Sequence, residues 1–348
     1  MKIIHTADIH LGGRRTEDIF AQLKKIIDLI QKEKVEVLII AGDLFDREMS
    51  ATSTIRDRVK NLFSQIPQTE IFILPGNHDQ EEPYRDEFYY GPNVEVLKKR
   101  PMEVKKIGNV EIYFFPFYDQ GSSQEMVKSA IANPSQAEFK IGVVHGTYME
   151  NKEIRDHLLF QNEGYYPIFS SDLREMNLDY LALGHFHYHR LWQDGETWCG
   201  YPGTIEILSF KELDERKVIM LEIKDKVSPY PINIGMQKKV GSVTLDIQEI
   251  DKLKEIRKNY DILKVTVKGI VKNEKETAKK LIQLEKEYSF YQLENQTKSF
   301  ASIEETKLGQ MIKERIEEKI KLEPEKKEFW KDVLMAGFEI LESGMSRK

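Results

Sequence analysis

A single cysteine, Cys199, occurs in 348 residues, so an internal disulfide framework is excluded and a reducing compartment suits the chain. Cys199 itself reads as a small buried hydrophobe. No apolar run approaches the ~20 residues of a membrane span. The opening MKIIHTADIH also lacks the charged and then apolar segments of a secretory signal. A cytoplasmic protein without membrane attachment is expected. There is no G-x-x-x-x-G-K-[ST] phosphate loop, so ATP hydrolysis of that type would have to come from another chain. Positive charge is not in excess either. A net charge of −6 excludes a surface that grips nucleic acid all over, but not a local groove whose charge comes from metal ions.

What is present is an alternation of apolar strands and amphipathic helices up to about residue 235. KIIHTA, VEVLIIA, EIFILP, FKIGVVH and DYLALG read as strands buried on both faces. Phe20, Leu23, Ile27 and Ile30 recur at helical spacing between the first two. Residues 52–66 form a second helical pattern through Ile55, Val59, Leu62, Phe63 and Ile66. A layered α/β fold over residues 1–235 follows. Residues 240–297 repeat the alternation on a smaller scale, with VTLDI, DILKVTV and SFYQLENQ around a charged helix near 274–287, which suggests a small α+β domain. Residues 302–348 are charged and helical. Leu308, Ile312, Ile316 and Ile320 make one stripe, Trp330, Leu334, Phe338 and Leu341 another, and Pro324 separates them.

The chemistry lies at the strand ends. Asp8 and His10 follow the first strand, Gly42-Asp43 the second and Gly76-Asn77-His78-Asp79 the third; His145 ends the fourth, and Gly184-His185-Phe186-His187 follows the fifth. Carboxyl ends of strands are where sites form in α/β sheets, and glycine permits close approach there. Singly, Asp8 could be a turn residue and His145 a hydrogen-bonded core histidine. Five successive strand ends with such residues point to a common site. Carboxylates, imidazoles and one amide oxygen, without thiolates, suit hard-to-borderline divalent cations. Two cations roughly 3.5–4 Å apart need a shared carboxylate, and Asp43 is the natural bridge. Asp8, His10, Asp43 and His187 are assigned to one metal; Asp43, Asn77, His145 and His185 to the other. His78 is left for catalysis, as a proton donor to the leaving oxygen, and Asp46 either for orienting it or for a solvent-facing role. Asp79 reads as a turn residue.

The series D-x-H, G-D, G-N-H-D, H-G and G-H-x-H resembles the calcineurin-like metallophosphoesterase superfamily. HTADIHLG, GDLFDR, LPGNHD and GHFHYHR are similar to the SbcD-type nuclease subunits of double-strand-break repair, the meiotic-recombination-eleven family. The motifs cover roughly the first 210 residues. The resemblance implies a layered α/β metallophosphoesterase sandwich, a capping domain, and C-terminal helices that bind a coiled-coil ATPase subunit. It implies DNA phosphodiester cleavage with manganese as activating metal, although magnesium or iron would suit the same donors. It also implies a homodimer formed through the helix near 52–66. The metal ligands carry over to Asp8, His10, Asp43, Asn77, His145, His185 and His187, and the catalytic histidine to His78. One departure is Asp46, where archaeal and eukaryotic members usually have histidine; the chain is closer there to bacterial members and to the G-D-x-x-D-R pattern of phosphatases.

Arg14, Arg15 and Arg47 flank the ligand loops and are candidate contacts to backbone phosphates, with solvated surface charge as the alternative. His189 continues the H-x-H-x-H series on one strand face and is a candidate either for supporting a ligand from behind or for contacting substrate. His5 reads as a core histidine and His157 as a loop residue. The tail stripes could pack on the chain's own core or dock on a partner as helix-in-groove elements; the family resemblance favours the partner. Two other functions stay open: a stand-alone phosphoesterase for nucleotides or small phosphate esters, and a non-catalytic scaffold at DNA ends.

Overall fold

Strands that are apolar on both faces must be covered on both faces, and residues Met1–Gln237 form a unit built in that way. The computed structural model describes residues 1–13, 15–47, 52–79, 89–117, 123–133, 135–150, 166–288 and 291–345. The first sheet contains β1 (Lys2–Thr6), β2 (Val37–Ala41), β3 (Glu70–Leu74) and β4 (Val94–Val96), all mutually parallel. The second contains β5 (Glu103–Ile107), β6 (Val110–Phe115) and β7 (Phe139–His145). A short pair, β8 (Thr147–Met149) and β9 (Pro167–Phe169), follows. β10 (Tyr180–Gly184), β11 (Arg190–Asp194) and β12 (Thr197–Tyr201) return to the second sheet, whose order is β11-β12-β10-β7-β6-β5. β13 (Lys217–Ile223), antiparallel to β1, and β14 (Val227–Asn233), antiparallel to β13, then extend the first sheet in the order β14-β13-β1-β2-β3-β4.

The period of two along each strand sorts side chains between layers. Ile4, Leu38, Ile40, Ile71 and Ile73 pack outward beneath helices α1 (Thr16–Glu33) and α2 (Ser53–Phe63), against Leu23, Ile27, Val59 and Phe63. Ile3, Val37, Ile39 and Phe72 face inward and meet Ile112, Phe114, Ile141 and Tyr180 of the second sheet. The far side of that sheet carries α3 (Ser123–Ile131) and α4 (Ser170–Met176) over Phe115, Leu181 and Leu183. The result is a four-layer α/β/β/α sandwich. α1 begins with Glu17 and Asp18 and ends at Lys34 in a left-handed cap whose N–H reaches Ile30 O. Ile27 is fully buried in the outer layer, so Ile27→Ala would cost about 2–5 kcal/mol.

Register matters most for function. Thr6 pairs with Ile40, Ala41 with Leu74, and Gly184 with His145. Neighbouring strands therefore end level, and the loops that leave them emerge side by side.

Residues Lys238–Lys348 form a second unit. The expected segments 240–297 and 302–348 both fall in it. β15 (Val240–Asp246), β16 (Ile262–Ile270) and β17 (Gln292–Lys298) make a parallel sheet, joined through α5 (Leu253–Arg257) and α6 (Glu274–Tyr288). The short α7 (Ala301–Glu304) leads to α8 (Lys307–Leu322) and α9 (Lys327–Met345). Phe300, Ile303 and Phe338 are buried together, flanked by Ile270, Ile312, Leu334 and Leu341. Lys331 bonds Asp246 at 2.7 Å, and Lys268 bonds Asp332 at 2.7 Å. Much of the apolar stripe on α8 and α9 is thus used within this unit. Among the described residues, no helix is long and apolar enough to cross a membrane.

Candidate metal centre

The level strand ends bring seven expected ligands into one cluster, and the backbone there is strained. Asp8, His10, Asp43 and His185 have φ of 51°, 55°, 53° and 104°, a region that non-glycine residues rarely adopt. The loops hold one another: Asp8 N donates to Gly42 O at 3.1 Å, and Ile9 N and His10 N both donate to Asp43 O at 2.8 and 3.0 Å. Gly42 is forced by crowding as well as by its φ of 95°, since a Cβ there would lie 2.0 Å from His145 Nδ1. A Cβ on Gly76 would lie 2.1 Å from Asp43 Oδ1.

Asp8 and Asp43 are buried, as are His10 and His145. Asp8, His10 and His187 place donor atoms within 4.8 Å of one another, as do Asp8, Asp43 and His145. Asp43 Oδ2 lies 3.3 Å from His145 Nε2 and 3.8 Å from His10 Nε2, so it also stands between the two groups. His10 Nε2 and His187 Nε2 are 3.1 Å apart. Asn77 Oδ1 lies 2.9 Å from His145 Nε2 and 3.2 Å from His185 Nδ1. Asp8 accepts from His185 N at 3.0 Å.

These contacts test whether the cluster fits cations. His145 Nδ1 donates to Ala41 O at 3.0 Å, so in the neutral ring Nε2 presents a lone pair to the Asn77 and Asp43 oxygens. Acceptors crowded on acceptors repel unless a proton or a cation lies between them. The titration behaviour expresses the same conflict. Burial alone would lower the pKa of His145 and raise that of Asp43, but the contact between the two reverses both shifts, so His145 is raised and Asp43 lowered. Burial raises Asp8. It also lowers His10 to about 3 and, with help from His145, His185 to about 4, keeping both rings neutral and able to ligate. His187 is raised despite its burial, by Glu212 and Asp8. The buried Asp/His groups are consistent with a dimetal centre of oxygen and imidazole donors.

The remaining candidates divide. His78 is exposed at the edge of the cluster, its ring 4.9 Å from that of His10, and its main-chain N–H donates to Asp43 Oδ1 at 3.0 Å. The expected contact from the Asp46 carboxylate is made instead by the Asp46 main-chain oxygen, 2.7 Å from His78 Nδ1. The carboxylate lies 3.8 Å from His10 Nδ1 and 3.7 Å from Arg47 Nε. Asp79 is buried; its Oδ1 accepts from Gly76 N at 2.8 Å within the turn, and its Oδ2 accepts from Phe45 N at 3.1 Å on the loop after β2. Arg47 is 82% exposed. Arg15 corrects the expectation of a phosphate contact: it is 15% exposed and paired with Asp18 at 3.1 Å and with buried Glu206 at 3.3 Å. Its guanidinium is consumed by the fold because Glu206 needs a counter-charge. His189 is half-buried, its ring against the main chain of Tyr201 and Pro202. Arg14 and His157 lie outside the described residues. His5 is buried with Nδ1 2.9 Å from Tyr180 Oη, a core position as expected.

One contact escapes sequence reasoning. Glu212 Oε1 lies 3.1 Å from His187 Nδ1. It sits in the connection between β12 and β13, where no motif or periodicity marks it.

Residues 1–216 match the family model described as calcineurin-like phosphoesterase. The chain is 25% identical over 244 residues to the uncharacterized metallophosphoesterase YhaO of Bacillus subtilis, covering 64% of this chain and 57% of that protein. It is 26% identical over 245 residues to the DNA double-strand break repair protein Mre11 of Archaeoglobus fulgidus, covering 61% and 52%. Identity to the SbcD component of nuclease SbcCD from Staphylococcus saprophyticus is 26% over 294 residues, covering 75% and 73%. The matched region is thus little more than half the length of the first two.

Proposed function

The chain belongs to the calcineurin-like phosphoesterase family, and from that premise we propose that it is a two-metal phosphodiesterase that cuts DNA, the exo- or endonuclease subunit of an ATPase-coupled repair complex. The observation that carries the phosphodiesterase reading is the convergence of Asp8, His10, Asp43, Asn77, His145, His185 and His187 from level strand ends onto adjoining donor groups. DNA as substrate is supported by relatives such as the DNA double-strand break repair protein Mre11 and nuclease SbcCD.

In this reading Asp8, His10, Asp43 and His187 hold one cation and Asp43, Asn77, His145 and His185 the other, manganese being favoured and magnesium or iron the alternatives. When bound, the cations supply Lewis-acid charge that offsets negative charge on the phosphate and acidifies water. The chain's own residues do the rest. Nδ1 of His78 donates to the Asp46 main-chain oxygen, so Nε2 carries a proton only in the doubly protonated ring, which would pass it to the departing oxygen and be left neutral. Its exposure lets substrate reach it. Arg47 is exposed beside the second ligand loop, which supports a contact with a flanking phosphate in this reading.

The ATPase subunit is proposed to dock on what the second unit leaves uncovered. Leu308, Met311, Leu322, Phe329 and Ile340 of α8 and α9 are all more than half exposed. A homodimer through α2 is proposed from the family resemblance. The deciding experiment compares manganese-dependent cleavage of duplex DNA ends with that of a small chromogenic phosphodiester. Preference for DNA by orders of magnitude in kcat/KM supports the nuclease reading. Comparable or better use of the small ester would replace it with a stand-alone phosphoesterase, and no turnover of either with a measurable metal load would leave a scaffold.

A further inference from the structure

We infer that Glu212 is a positioning residue for the metal centre, fixing His187 in the tautomer that turns Nε2 toward the cation it shares with Asp8 and His10. The inference rests on the ligand assignment proposed above. Its physical basis is a hydrogen-bond chain whose direction can be read from donors alone. The buried Arg216 is donor-only, and its Nη1 reaches Thr204 Oγ1 at 2.8 Å. Thr204 must therefore send its own hydroxyl proton onward, and Glu212 Oε2 stands 3.4 Å away. Leu208 N donates to the same oxygen at 3.4 Å.

With Oε2 so occupied, Oε1 faces His187 Nδ1 at 3.1 Å and accepts its proton. The ring then carries Nδ1–H, and the lone pair on Nε2 points where His10 Nε2 lies 3.1 Å away. The backbone is held from the same place: Arg216 Nη1 and Thr204 N both approach His187 O, at 3.4 and 3.3 Å. Arg216 is anchored in turn by Nε on Asp214 O at 2.9 Å. Glu212 thus does for His187 what the Ala41 carbonyl does for His145. A carboxylate does it more strongly, since the bond is charge-assisted.

The test uses the full-length chain stripped with EDTA and titrated with manganese(II) chloride by calorimetry. Histidine ring ¹⁵N shifts of the stripped protein are recorded in parallel. Glu212→Ala should weaken one class of manganese site about 10- to 100-fold and leave the other unchanged, and the Nδ1–H signature of His187 should be lost. Glu212→Gln, which keeps an acceptor oxygen, should recover most of both. Glu212→Met, similar in size without an acceptor, should behave as the alanine variant and guards against a folding defect from lost volume. Unchanged affinity, equal weakening of both classes, or an unaltered His187 ring signal in the alanine and methionine variants would overturn the inference. His187→Ala separates the levels. If it binds both ions normally, the ligand assignment falls and the positioning role with it. If it loses one class while Glu212→Ala loses none, only the positioning role falls.

Discussion

Replacing Asp79 with alanine should destabilise the first unit by roughly 3–6 kcal/mol. The Asp79 carboxylate is buried and accepts from two main-chain donors on different loops, Gly76 N at 2.8 Å and Phe45 N at 3.1 Å. Those loops carry Asn77 and His78 on one side and Asp43 on the other, so the side chain is a clamp across the centre. A hydrogen bond to a charged group contributes about 1.5–3 kcal/mol, and truncation leaves both N–H groups without this acceptor. For a unit of this size the loss corresponds to a fall in Tm of roughly 10–20 °C. Urea unfolding followed by tryptophan fluorescence reads it directly, since Trp192 and Trp198 both lie in the first unit. Asp79→Asn keeps the shape but turns a donor toward one of the two N–H groups, so it should recover no more than about half of the loss. An alanine variant within about 1 kcal/mol of wild type, or an asparagine variant equal to it, would show that the clamp contributes little and that the loops are held by their main-chain bonds alone.

His78→Ala should abolish turnover while manganese stoichiometry by calorimetry stays at the wild-type value; full activity would remove its proton-transfer role. Arg15→Ala should cost about 3 kcal/mol in urea unfolding, because it strands the buried Glu206. Arg47→Ala should leave stability within about 0.5 kcal/mol and flatten the salt dependence of DNA binding, so identical behaviour of the two variants would contradict their assignments. His5 supplies a pH prediction. Burial lowers its pKa from 6.5 to about 3, so between those values the unfolded chain binds the extra proton and stability falls as pH falls. The full effect is on the order of 5 kcal/mol. His5→Gln should flatten unfolding free energy against pH over that window, and an unchanged slope would rule His5 out as a source of acid lability.

The strands that carry ligands were legible because apolar content, length and flanking glycines agree there: β1, β2, β3, β7 and β10 sit where KIIHTA, VEVLIIA, EIFILP, FKIGVVH and DYLALG lie. The flanking strands β4, β5, β11 and β14 were not, since partly exposed edges alternate weakly and take their shape from a neighbour already in place. The ligand set was legible for a similar reason, because each motif is local to one strand end and its residue types are dictated by the cation chemistry. Which atom of each ring faces the cluster was not, because Ala41 O, Asp46 O and Glu212 lie 104, 32 and 25 residues from the histidines they orient. Arg15 shows the same limit. Its neighbours along the chain suggest a phosphate contact, yet its partner Glu206 arrives from another part of the first unit, and a buried carboxylate outcompetes solvent for the guanidinium. The sequence alone determined which side chains could bind metal and where along the chain they occur. Only the tertiary structure decided their tautomers, their supports and which cations the fold keeps for itself, because those depend on distances between residues far apart in the chain.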